Sequence, residues 1–223
     1  VGELGKRGVG LVCMHCGVVV RKGKAGEDFI DWTGGYFGAI WWVNPHWTAN
    51  YRQFQKHPTT QGVKPFSIRD EWYYHMRFRD GLQDVTPILT DLPPTTTLVK
   101  ADGTLARPDN AHNNNPFVRK AVLEDKQPQH MAWACNRPDG GRGFGFTGGH
   151  DHWNWGHNQF RKLVLNAIVW TAHGEVPKTG VPSKSLTVKD LMANQDYEVG
   201  KNFNPARTQA KLDDWNRQSN AKK

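Results

Sequence analysis

The chain has 223 residues, an apolar share of 37% and a formal charge of +8, with a pI near 9.5. That length can bury a full core and fits one domain with a tail, and no apolar run approaches the roughly 20 residues that span a bilayer. The basic excess sits in short polar stretches such as Arg21-Lys22-Gly23-Lys24 and Lys222-Lys223; with no basic amphipathic helix and no nucleic-acid module beside it, it reads as a solvated surface.

Val9 to Met14 is a near-continuous apolar run, the pattern of a buried parallel strand. Coming this early, and after Val1 rather than Met, it leads us to expect further chain before Val1. Cys13 and Cys16 form a C-x-x-C, a spacing used in redox and metal chemistry. Positions three apart on a strand face opposite ways, so a buried Cys13 beside an exposed Cys16 is expected, and three cysteines imply no disulfide framework.

Residues 21–62 are rich in Gly, Trp, Asn and charge and read as a long irregular excursion with short helices. Trp32, Trp41, Trp42 and Trp47 fall within it; such aromatics either stack on sugar rings or pin the loop as a local minicore. Lys64 to Tyr74 reads as a strand entering a site, with Asp70 and Glu71 adjacent and facing opposite ways. Thr86 to Thr90 is a short strand, and residues 91–117 form a loop rich in Pro, Thr and Asn. Gln129 to Cys135 and Arg142 to Thr147 are strands joined by the turn Pro138-Asp139-Gly140-Gly141, hence a hairpin.

The second strand of that hairpin empties into Gly148-Gly149-His150-Asp151-His152-Trp153-Asn154-Trp155-Gly156-His157. Strand, polar loop, then helix is where open α/β sheets place sites. Asn158 to Ala172 is the clearest helix, with Phe160, Leu163, Val164, Ala167, Ile168 and Thr171 at helical spacing and Gly174 after its end. Residues 1–174 read as one domain. Residues 175–223 read as linker and surface tail, with Thr187 capping a short helix over Val188 to Ala193 and a polar stretch from Asn202 onward.

Three segments together resemble the ThuA-like, or trehalose-utilisation, family of the class I glutamine-amidotransferase-like superfamily: Gly10 to Cys16, Asp70-Glu71-Trp72-Tyr73, and Trp133 with Gly140 to His150. The resemblance covers roughly residues 8 to 173. It implies an α/β, flavodoxin-like three-layer sandwich with a mostly parallel sheet, whose first strand and helix would precede Val1. In amidotransferases a cysteine sits on the sharp turn after the first strand found here. His15 takes that position, Cys16 is one residue off, and the late glutamate falls at His152. Glutamine hydrolysis is therefore not expected. The family is associated with trehalose and related disaccharides, including keto-sugars.

That placement would gather His15, Asp70, Glu71 and His150 at the carboxyl ends of neighbouring strands. The candidate catalytic residues are His15, Glu71 and His150, with Glu71 as base and a histidine as acid. Asp70, Tyr73, Trp133, Arg142 and Trp153 are the candidate substrate contacts. His150 and His152, two apart in an extended loop and so on one face, could chelate a divalent zinc or nickel ion completed by Glu71 or His15. His157 belongs at the helix start, and His57, His75, His112 and His173 at the surface or in supporting positions. The leading expectation is acid–base chemistry on a disaccharide or keto-sugar. A non-catalytic sugar-binding or assembly protein and a metal-dependent hydrolase remain alternatives. The expected partner is a small carbohydrate, with no nucleic acid and no membrane insertion; self-association stays open, and a periplasmic or envelope location is slightly favoured over the cytoplasm.

Overall fold

The structure, a computed structural model, describes residues 1–38, 41, 43–106, 115–193 and 195–220, the last three of these by backbone alone. In chain order come α1 (Gly2–Lys6), β1 (Leu11–Met14), β2 (Val19–Val20), α2 (Lys24–Thr33), β3 (Gly35–Gly38), β4 (His46–Tyr51), β5 (Phe66–Glu71), β6 (Arg77–Phe78) and β7 (Val85–Asp91). There follow α3 (Pro116–Arg119), β8 (Gln129–Asn136), β9 (Arg142–Phe146), α4 (Asn158–Thr171), α5 (Val188–Met192) and α6 (Pro205–Asn220). No helix among the described residues is long and apolar enough to cross a membrane.

The central sheet has the order β1-β9-β8-β7. β1 runs parallel to β9, whereas β9–β8 and β8–β7 are antiparallel. The fold is mixed α/β, and the expectation of a mostly parallel sheet is corrected. The reason is local: the short turn between β8 and β9, with Gly140 at φ +82°, can only return the chain antiparallel, since a parallel return needs a long crossover. A three-stranded sheet, β2-β3-β6, and a two-stranded ribbon, β4-β5, stand apart from it.

Helices flank the central sheet on both faces. A Cβ at Gly143 would overlap the backbone of Trp32 and Thr33 in α2, while one at Gly10 would overlap Thr171 in α4. Leu11 is paired with Gly143, so Gly10, one residue earlier, faces the other way. The apolar side chains sort accordingly. Phe144, Phe146, Phe160, Leu163 and Val164 join the larger core, and Cys13, Val85, Trp133 and Cys135 the smaller one.

α4 forms as its periodicity predicts, with Phe160, Leu163, Val164, Ala167 and Thr171 buried. Trp170 is buried too, while Ile168 is 44% exposed. His157 caps the helix, its Nδ1 accepting from the backbone N–H of Gln159 and Phe160.

Two segments differ from the sequence reading. The excursion 21–62 contains the ten-residue helix α2, ended by Gly34 in the left-handed conformation at φ +78°, and the strand β4. Only Gly26 and Thr33 of α2 are buried; its apolar side chains Phe29, Ile30 and Trp32 are half-buried, and the glycines within and around it, Gly23, Gly26, Gly34 and Gly35, give the segment the look of a loop. The polar stretch after Asn202 contains α6, whose Leu212 (0% exposed) and Trp215 (9%) join the larger core. Two apolar anchors in a mostly charged helix give a weak pattern, and burial against α4 supplies what the pattern lacks.

Candidate catalytic centre

β1 and β9, paired in parallel, end side by side, and the chain leaves each in a sharp turn. His15 follows β1 at φ +45°, a backbone conformation that non-glycine residues seldom adopt. It opens the short helical turn His15–Val18. Its Nδ1 lies 2.9 Å from the carbonyl oxygen of Thr147, just past β9. A carbonyl only accepts, so Nδ1 carries a proton and donates it there, which leaves Nε2 facing the centre.

Glu71 comes from β5. That strand belongs to the separate ribbon, so the expectation that all the site residues sit on neighbouring strands of one sheet is corrected. The Glu71 side chain, 13% exposed, places Oε2 at 3.3 Å from His15 Nε2 and 2.9 Å from His150 Nδ1. The two ring nitrogens are 3.2 Å apart. Glu71 Oε1 accepts from Asn44 Nδ2 at 3.0 Å. The Tyr73 hydroxyl lies 2.9 Å from His15 Nε2, and its ring stacks on Phe37 at 4.2 Å. Burial, reinforced by contact with Cys16 and by Glu71, holds the Tyr73 phenol well above its ordinary range. It therefore keeps its proton, within hydrogen-bond reach of His15 Nε2 and Cys16 Sγ.

Asp70 is adjacent to Glu71 and plays a different part. It is 0% exposed, and its carboxylate accepts from the backbone N–H of Glu71 (2.8 Å), Gly149 (2.7 Å), His150 (3.1 Å) and Asp151 (3.1 Å). Its oxygens are turned into the loop, so it shapes the segment that carries His150 and has no face left for substrate.

The remaining sequence candidates fall elsewhere. Trp133 is fully buried and donates from Nε1 to the Thr33 carbonyl; a Cβ at Gly145 would overlap its indole. Mid-strand position and close packing make it core. Arg142 opens β9, on the order of 13 Å from the strand's far end. There its guanidinium donates to the Trp170 carbonyl and lies over that ring. Trp153 stacks on Phe203 at 4.6 Å. His152 turns away from His150: its Nε2 is 2.8 Å from the Leu191 carbonyl oxygen. A helical turn runs over His152–Gly156, so the extended spacing that would align the pair does not exist. His112 and Trp42 lie outside the described residues.

Cys13 is buried, which pushes its thiol up to about 11. Cys16 is exposed, yet its Sγ reaches within 3.6 Å of the Tyr73 hydroxyl and so borders the cluster it was expected to turn away from. Sequence reasoning missed Asn44 and His46. His46 is exposed and meets the His150 ring edge-on at 4.9 Å. The signal for it was the alternation along His46-Trp47-Thr48-Ala49-Asn50-Tyr51, exposed then buried at each step.

Among the described residues, two sets of side chains could hold a cation: His15, Glu71 and His150, and His46, His150 and Asp151. In the first set the three ligand atoms form a triangle with edges of 2.9, 3.2 and 3.3 Å. Tetrahedral zinc, with bonds of roughly 2.0–2.1 Å, has edges of roughly 3.3–3.4 Å. The triangle fits to within a few tenths of an ångström. Both the Nδ1–H of His15 and the outer oxygen of Glu71 have the supporting hydrogen bonds that orient metal ligands.

The fold and this centre define a mixed α/β protein with a polar site where β1, β9 and the end of β5 meet. Comparison with known families assigns it further: the model of the family described as trehalose utilisation, ThuA, matches residues 3–171, and the chain belongs to that family. Comparisons with curated proteins and with solved structures give no match.

Proposed function

We propose that the chain is a carbohydrate-processing protein whose chemistry takes place at His15, Glu71 and His150. The observation that carries this reading is the convergence of His15 Nε2, Glu71 Oε2 and His150 Nδ1 within 3.3 Å of one another. Membership of a trehalose-utilisation family supports a disaccharide or keto-sugar as substrate. The flavodoxin-like version of the three-layer arrangement belongs to the same proposal.

In this reading Glu71 takes the proton from the carbon beside a sugar carbonyl, and a protonated histidine returns one to the carbonyl oxygen, leaving an enediol. Tyr73 and Thr147 hold His15 in place, and Asn44 holds Glu71. A 3-keto disaccharide is turned over by the wild type, and Glu71→Gln lowers kcat by at least a hundredfold with the fold intact. Sugar binding without turnover by the wild type, unchanged in Glu71→Gln, would instead mark a binding or assembly protein.

The triangle of ligand atoms favours a second reading, a metal-dependent hydrolase with a divalent cation on the same three side chains. Bound there, the cation would supply Lewis-acid polarisation of a sugar oxygen. Metal analysis of the purified protein separates the readings. About one equivalent of zinc or nickel, lost in His150→Ala and in Glu71→Gln, selects the second; no metal above background selects the first.

A further inference from the structure

The ribbon β4–β5 extends the candidate centre outward. Its register pairs His46 with Glu71 and Thr48 with Arg69. Directly opposed residues share a face, as do residues two apart on one strand. Glu71, His46, Arg69 and Thr48 therefore lie on one face of the ribbon, while Trp47, Ala49, Phe66, Ile68 and Asp70 on the other are buried. Arg69 is two residues from Glu71, about 7 Å along the strand. His46, Thr48 and Arg69 are exposed, and with Thr96 they line a cavity of about 490 Å3 whose wall holds no acidic side chain among the described residues.

The Arg69 guanidinium makes no ion pair with any described residue. On this side Asp151 is the carboxylate grouped with His46 and His150. Lys211 of α6 is near enough that, beyond the lowering by burial and opposite to the effect of Asp151, Arg69 itself disfavours its charge. A forked cation beside hydroxyl donors, paired with no acid among the described residues, suits a planar or tetrahedral oxyanion.

The geometry points to an anion subsite at Arg69, with Thr48 and Thr96, that takes a phosphate or carboxylate carried by the sugar whose reacting carbon sits at Glu71. The inference rests on the carbohydrate reading of the centre. Arg69 and Glu71 stand two residues apart on the same face of β5, so a ligand whose reacting carbon is at Glu71 has its substituents directed along the ribbon toward Arg69. The substrate class is then a sugar phosphate or a uronate, and neutral sugars are the weaker ligands.

Calorimetric titration with glucose, glucose 6-phosphate, glucuronate and inorganic phosphate tests this on the wild type, Arg69→Gln and Arg69→Lys. At least one charged sugar binds about tenfold or more tightly than glucose, and which one identifies phosphate or carboxylate. The preference falls below threefold in Arg69→Gln, returns in part in Arg69→Lys, and glucose affinity stays constant across the three. Equal binding of charged and neutral sugars, or a preference that survives Arg69→Gln, overturns the subsite and leaves the carbohydrate reading standing. Arg69-dependent binding of inorganic phosphate with no gain from the attached sugar keeps the anion site and overturns the carbohydrate reading. No binding by any of the four overturns the subsite.

Discussion

Asp70 and His157 are buried polar side chains, and each is occupied by backbone. The four N–H groups held by Asp70 tie the end of β5 to the loop after β9. Asp70→Asn replaces an ionised acceptor with an amide that has only one acceptor oxygen, so about 2–4 kcal/mol of stability is expected to be lost. Urea denaturation checks it, and a loss under about 0.5 kcal/mol would show that the loop is held by other means. His157 is 4% exposed, and burial, reinforced by nearby Arg161 and Lys211, pulls its imidazole down to about 4. The unfolded chain thus takes up the proton first, near the ordinary 6.5. The stabilisation is fully present above that pH and is lost as pH falls toward 4. It amounts to about 3 kcal/mol at most, and His57, likewise pulled down to about 4 by burial, acts in the same direction. Denaturation midpoints between pH 7 and pH 4.5 should fall steeply in the wild type and less steeply in His157→Asn, which keeps a capping oxygen.

The elements with strong periodicity were legible in the sequence, and those held by a few anchors were not. β1 shows as an apolar run, α4 by its buried stripe, and the β8–β9 hairpin by its turn. α2 was hidden by the glycines within and around it, and α6 by having only Leu212 and Trp215 as buried apolar anchors in a mostly polar stretch. α6 nonetheless docks firmly, with Leu212 against Gly156 and Trp215 against the His157 ring at 5.1 Å. Leu212→Ala is expected to destabilise by about 2–4 kcal/mol, the range for a buried leucine, measured by thermal or urea unfolding. A change within 0.5 kcal/mol would mean that α6 is an appendage. α6 lies beyond the family-matched residues 3–171 and grips the loop Gly149–His157 that carries part of the candidate centre. Phe203 on Trp153 and the Leu191 carbonyl on His152 add to that grip.

Across the whole molecule, the candidate residues named from the sequence divide into those the fold gathers and those it scatters. His15, Glu71, His150 and Tyr73 do come together. Strand ends supply the histidines, and the order strand, polar loop, helix marks that end of a sheet. Trp133, Arg142 and Trp153 were drawn in by residue type, which is blind to which end of a strand a residue occupies and to which face it presents. For His46 the alternation along β4 shows which face it takes, but only the pairing of β4 with β5 sets it opposite Glu71; Asn44, just before β4, reaches Glu71 through the same long-range approach, which no local pattern encodes.

The most direct test of the centre is whether its side chains act as one unit. Turnover of a 3-keto disaccharide by Glu71→Gln, by His150→Ala and by the double variant decides it, with folding of each confirmed by circular dichroism. If the two groups serve the same step, the double variant is no slower than the slower single variant by more than a few fold. Losses that multiply, so that the double variant is slowed by the product of the two single effects, would contradict a shared centre and place His150 in a separate role.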